Sequence, residues 1–252
     1  MVDNKHLVCY YISMIKNLLL LVGIAIIIFP AIGNSPIAKS SILFDFTNLN
    51  EKVTSKKQID EIFSKFRTIP ASKLTKHYLL ESGLSAKKYK YARKNKKFYL
   101  IPVGKLPTKI LGNNRLKDII SKGPEIDGCI PLLIDKRVLY KYIEMYQLLK
   151  KEGYNPDDIR ITAGHRHPAH NDEAGGAYTS KHIIGQALDF DVGDINNNGV
   201  ANIEDKMIVY KILNRKVIKS KGGIGKYSWH PHGLHIDVRG HRARWDSFSR
   251  KK

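Results

Sequence analysis

Apolar positions along this chain fall into short groups with different spacings. Leu18–Ile32 is an apolar run broken only by Gly23 and Pro30, with Lys5 and Lys16 before it and Gly33-Asn34-Ser35 after it. That order of charge, apolar run and small polar residues marks an export signal or an uncleaved N-terminal anchor. The run is about 15 residues, short of the roughly 20 that a spanning helix needs, although Leu7–Ile15 can extend it. Residues 1–33 are therefore expected to direct export to the periplasm or cell surface, secreted or anchored, and residues 34–50 to form a linker. Ile59, Ile62, Phe63 and Phe66 then recur at helical spacing between charged residues. Ser72–Ser82 and Ser85–Lys97 predict two further short helices, and Phe98–Val103 a strand. Residues 51–125 are expected to be a small, mainly helical, basic accessory region.

Beyond it, Ile130–Asp135 predicts a strand. Lys136–Glu152 predicts a helix capped by Asp135, closed by Gly153 and striped by Val138, Leu139, Tyr142, Ile143, Tyr146 and Leu149. Ile159–Thr162 and Leu234–Val238 alternate as strands, the latter placing His235 and Asp237 on one face. Asp205–Leu213 predicts a second amphipathic helix. Residues 126–248 thus describe an α+β domain, a small, mostly antiparallel sheet flanked by helices.

Charge adds a constraint on partners. Lys and Arg total 43 against 23 Asp and Glu, a net +20, with lysines crowding residues 52–105. Such a surface attracts polyanions. Export disfavours nucleic acid, and no nucleic-acid-binding signature is present. Anionic envelope polymers or lipid are the expected partners, with a merely solvated basic face as the alternative. A monomer is expected. Cys9 falls in the export segment, so the exported part keeps Cys129 alone and cannot form an internal disulfide. In Gly128-Cys-Ile-Pro-Leu that thiol is expected to act as a small buried hydrophobe.

The candidate chemistry lies in Ser180-Lys-His182-x6-Asp189 and Leu234-His235-Ile236-Asp237. Two imidazoles and one carboxylate suit Zn²⁺, and three protein ligands leave one coordination position for water, as in catalytic zinc sites. Spacing alone also admits a surface pair or core histidines.

Around these residues stand Gly164-His-Arg166, Asn171-x3-Gly175-Gly176, Ser180-x-His182-x2-Gly185-x-Ala187-x-Asp189, Gly222-Gly-Ile-Gly225 and His235-x-Asp237. In that order, over roughly residues 126–246, they resemble the D-alanyl-D-alanine carboxypeptidase-type zinc peptidases. That wider group includes peptidoglycan endopeptidases, endolysins and the hedgehog signalling domain. The resemblance implies zinc on His182, Asp189 and His235, hydrolysis of peptidoglycan stem peptides or cross-links, and Arg166 near the site as a substrate anchor. Arg166 offers a planar fork suited to a carboxylate, or to a structural pair with an Asp. Ser180 lies beside the substrate path, as a turn residue holding the ligand loop. The resemblance also implies a carboxylate base three residues before the last ligand, where this chain has His232. The base candidates are therefore His232, then His230, then Asp237, which can instead orient an imidazole or pair with Arg239.

A second constellation is Asp194, Asn196, Asn198, Val200, Asn202 and Asp205, at positions 1, 3, 5, 7, 9 and 12 of a loop with Gly199 at position 6. This is the calcium-loop spacing, and it resembles the loops of dockerin modules, which carry Asp at position 12. A polar Asn-Gly turn is the alternative. The expected function is a zinc peptidase with a calcium-stabilised loop; the rival is an inactive zinc- and calcium-binding envelope or signalling module.

Overall fold

A computed structural model of the chain describes residues 51–74, 96–120 and 123–246. These all fall within one compact unit, Asp45–Lys252. The export segment, the linker and nearly all of the helices expected over 72–82 and 85–97 lie outside the described residues. Among those described, no helix is long and apolar enough to cross a membrane.

Local sequence explains most of the helices. α1 (Lys56–Ser64) opens on a reciprocal cap: Ser55 Oγ accepts from Gln58 N while Gln58 Oε1 accepts from Ser55 N. A short helix, α2 (Leu116–Ile119), follows the first strands. α3 (Lys136–Lys151) starts where Asp135 accepts from Arg137 N at 3.2 Å, and Gly153, at φ +86°, follows its end. α4 (Pro168–Glu173) begins with Pro at its first position, and α5 spans Ile203–Ile212. α5 starts two residues before the expected Asp205 because Asn202 caps it, accepting from Glu204 N at 2.6 Å.

Strands β1 (Thr68–Pro70), β2 (Lys97–Pro102) and β5 (Cys129–Leu132) form an antiparallel sheet in the order β1-β2-β5. β3 (Lys109–Leu111) and β4 (Asn114–Arg115) form a two-stranded ribbon. The larger sheet contains β6 (Ile159–Ala163), β7 (Ala187–Val192), β8 (Gly223–Gly225), β9 (Gly233–Asp237) and β10 (Ala243–Trp245), ordered β10-β8-β9-β7-β6. Its pairs are antiparallel except β10 with β8. The architecture is α+β, as expected. β7, unmarked in the sequence reading, lies between β6 and β9 and carries Asp189.

One hydrophobic core crosses the boundary expected at residue 125. Val53, Ile59, Phe63, Ile101, Ile110 and Leu116 belong to the same buried cluster as the α3 stripe, Leu188 and Phe190 of β7, and Leu234 and Ile236 of β9. Asn114 ties these parts together: its buried amide nitrogen has Leu111 O, Ile159 O and Tyr142 Oη within hydrogen-bond distance for its two protons, and its oxygen accepts from Ile161 N at 2.8 Å, joining β4 to α3 and β6. The segments 51–74 and 96–120 therefore share this core rather than forming a separate accessory fold.

Candidate metal centre

Strand register assembles the cluster. Asp189 on β7 pairs directly with His235 on β9, and their side chains share the face opposite the core because Leu188, Phe190, Leu234 and Ile236 point the other way. His182 enters from the loop before β7, where Ser180 Oγ accepts from His182 N at 3.3 Å. The Gly164–Arg166 turn is tied to that loop, with Arg166 N donating to His182 O at 3.2 Å. One ligating atom from each of His182, Asp189 and His235 lies within 4.8 Å of the others. His235 Nδ1 is 2.7 Å from Asp189 Oδ1, and His182 Nε2 is 3.2 Å from Asp189 Oδ2.

The far edge of each imidazole is also held. His182 Nδ1 lies 2.7 Å from Gly164 O, so it carries the proton and leaves Nε2 to face the cluster. His235 Nε2 lies 3.3 Å from Asp237 Oδ2. Asp237 is fully buried and also holds Arg239 through both carboxylate oxygens. A Cβ on Gly223 would come within 2.2 Å of Asp237 Oδ2, which explains the glycine there. Asp237 thus stands behind His235, where it can orient the imidazole, and it also pairs with Arg239, the two alternatives to a base role.

Electrostatics suit a cation. Burial keeps His182 neutral, lowering its pKa against the pull of Asp189. Burial opposes ionisation of Asp189, but the two histidines outweigh it and hold the carboxyl well below its usual range. Burial likewise opposes charge on His235, yet hydrogen bonds to Asp189 and Asp237 raise its pKa. A metal would displace the Nδ1 proton of His235. Two imidazoles with fixed outer nitrogens and one ionised carboxylate are compatible with zinc.

Two cavities meet at the cluster, and Arg166, Gly176 and Tyr227 line both. The larger, about 710 Å³, is bordered by Asp189, Glu173, Asp191, Trp229 and His230. The smaller, about 450 Å³, is bordered by His182, His235, Ser180, Lys181, Arg239 and Trp245. Arg166 Nη2 donates to Asp189 Oδ2 at 2.6 Å, so the residue expected to anchor substrate first holds a member of the cluster.

Of the expected bases, His230 lines the larger cavity, with Nε2 3.3 Å from Asp191 Oδ1. His232 lines neither cavity, and its Nδ1 is buried without a hydrogen-bond partner. Sequence reasoning missed Tyr227 and Asp191. Tyr227 Oη is 3.5 Å from Asp189 Oδ1, and burial raises its pKa, so it remains a phenol. Asp191 follows the ligand by two residues, the strand period that puts both on one face.

In the Asn-rich loop, the carboxylates accept backbone donors. Asp194 takes Asn198 N and Gly199 N, and buried Asp205 takes Ile195 N, Asn196 N and Asn202 N. Asn196 and Asn198 accept from Asn198 N and Val200 N. Val200 is exposed.

Residues 134–232 match the Peptidase M15 family. The matched segment contains His182 and Asp189 and ends before His235. No curated protein and no solved structure matches the chain. The family match supports a metallopeptidase, and its segment supplies two of the three cluster residues.

Proposed function

We propose that this chain is an exported zinc peptidase that hydrolyses amide bonds in the stem peptides or cross-links of peptidoglycan. One observation carries the reading: the His182–Asp189–His235 cluster, with both imidazoles fixed from behind, lies where two cavities meet. Zinc held there would act as a Lewis acid, polarising a peptide carbonyl and making water nucleophilic near neutral pH.

The protein's own groups supply the rest. Asp191 is the proton acceptor in this reading, replacing His232. It shares a face with Asp189 and pairs in register with Gly233, which has no side chain to cover it. His230 Nδ1 accepts from His232 N and Gly233 N, so its proton sits on Nε2 and its hydrogen bond steadies Asp191. Tyr227 keeps its phenol proton for donation to the carbonyl oxygen as charge develops. Arg166 holds Asp189 and borders both cavities, where it can also meet a substrate carboxylate. Lys181 and Arg239 line one cavity, Glu173 and Asp191 the other, so a peptide across the cluster meets opposite charges at its two ends.

The decisive experiment is mass spectrometry of purified peptidoglycan fragments incubated with the zinc-loaded protein. Loss of a terminal residue identifies a carboxypeptidase, and a cut stem or split cross-link an endopeptidase. Unchanged fragments favour the inactive binding module. The net charge of +20 favours anionic envelope polymers or lipid as partners in this reading.

Calcium at the Asn-rich loop is a second reading. Asp194 Oδ1 and Asn196 Oδ1 both lie within 3.1 Å of Asn198 N, so two of the expected ligand oxygens are brought together.

A further inference from the structure

Lys206 is 1% exposed, and the carboxylates that act on its charge, Asp246 and Asp191, do so from beyond hydrogen-bond contact. Its Nζ donates to two carbonyls of one loop, Tyr227 O at 3.0 Å and His230 O at 2.6 Å. Burying an ammonium without an anion in direct contact is costly, and an apolar side chain would fill the same space more cheaply. The explanation for this lysine therefore lies in what it holds.

The loop it holds is unusual. Tyr227 has φ +48°, a left-handed conformation that side-chain-bearing residues rarely adopt. His230 N also donates to Tyr227 O, at 2.8 Å, so an amide and an ammonium converge on the same carbonyl. This turn places Tyr227 Oη beside Asp189, sets the His230 ring against Asp191 and carries Trp229, 67% exposed, to the rim of the larger cavity.

Lys206 follows Asp205, whose buried carboxylate gathers the backbone amides of Ile195, Asn196 and Asn202. The first turn of α5 thus bears adjacent buried charges of opposite sign, and each grips the backbone of a different loop. We propose that Lys206 is a positioning residue that sets the Tyr227–His230 turn, and that the Asp205–Lys206 pair couples this turn to the Asp194–Asp205 loop. Loosening either loop then loosens the other through a rigid helical end. The effect on hydrolysis rests on the peptidase reading; the coupling itself does not.

Hydrogen–deuterium exchange on the full zinc-loaded chain tests this without substrate. Lys206→Met removes the charge and keeps the chain length. It should speed exchange over residues 226–233 by about 10-fold or more while α3 and β7 stay protected and zinc content is unchanged. Asp205→Asn should speed exchange over 194–202 and over 226–233 together. With peptidoglycan fragments as substrate, Lys206→Met should lower kcat more than it changes KM, since Tyr227 and His230 act during bond cleavage. Wild-type protection of 226–233 in Lys206→Met overturns the positioning role, and a response to Asp205→Asn confined to 194–202 overturns the coupling. If Lys206→Met does not fold, Lys206→Leu, which likewise lacks an N–H donor, is read by the same criteria. A wild-type protein that cuts no fragment ends the peptidase reading, while the exchange comparison still decides the role of Lys206.

Discussion

Asp237 Oδ2 lies 3.3 Å from His235 Nε2, on the ring edge opposite the Nδ1 that faces Asp189. That placement makes the carboxylate a support for the ligand. Arg239 and Gly223 N in turn fix the carboxylate. Asp237→Asn should therefore weaken zinc binding by about 10–100-fold, the usual cost of losing a partner behind a metal-bound histidine. Chelator competition measures it, and unchanged affinity would make Asp237 a packing residue only.

Proton transfer is the point on which the proposed function departs most from the sequence reading. Asp191→Asn should keep zinc and reduce hydrolysis by roughly 10²–10⁴-fold, the worth of a positioned acid–base group. His230→Ala should cost less, because it removes a support for Asp191. His232→Ala should leave turnover near wild type. A collapse of activity in the His232 variant with zinc intact would return the role to the position the sequence first indicated.

The His182, Asp189 and His235 cluster was legible because ligand chemistry and motif spacing coincide. Asp189 stands at a polar position of the alternating stretch Ala187–Val192, and His235 and Asp237 share a face in either reading. Gly164, Arg166 and Ser180 also stand where their motif put them, but as neighbours that hold ligands. What sequence did not disclose depends on contacts between distant segments. Asn114, which no local pattern marks, is a buried junction among β4, α3 and β6. No local pattern marks Lys206, because its partners lie 21 and 24 residues away. The boundary at 125 followed the extent of the resemblance, whereas packing ignored it.

Acid sensitivity should trace in part to His165. Burial pushes its pKa down to about 3 from an ordinary 6.5. Below pH 6.5 the unfolded chain takes up a proton that the folded chain refuses. This contribution is therefore complete above about pH 6.5 and is lost as pH falls toward 3. In chelator, so that zinc loss does not interfere, His165→Asn should flatten the fall in melting temperature between pH 6 and 4. An unchanged slope would assign the acid limb to other groups.

Asn114 tests the shared core. Asn114→Ala would leave Ile161 N and Ile159 O short of a buried partner, and Tyr142 Oη without its amide. A loss of roughly 2–4 kcal/mol is expected in urea unfolding. Because Val53, Ile59, Phe63, Ile101, Ile110 and Leu116 pack into the same cluster as α3 and β7, the transition should remain single. Two separate transitions would restore an independent accessory fold.

Calcium should act through the same end of α5 that carries Asp205. In the metal-free loop the carboxylates of Asp194 and Asp205 are satisfied by backbone amides, so an added cation must compete with or share those contacts. If it shares them, calcium bound by the folded form raises the melting temperature of the zinc-loaded protein by mass action, increasingly as its concentration exceeds Kd. Magnesium should do much less, because it resists giving up water for a shell of longer protein–oxygen bonds. Asp194→Ala should abolish the calcium shift and leave zinc content unchanged, since Asp194 stands five residues beyond the ligand Asp189. Equal shifts with calcium and magnesium, or a full calcium shift in Asp194→Ala, would reduce the loop to a turn held by its own hydrogen bonds.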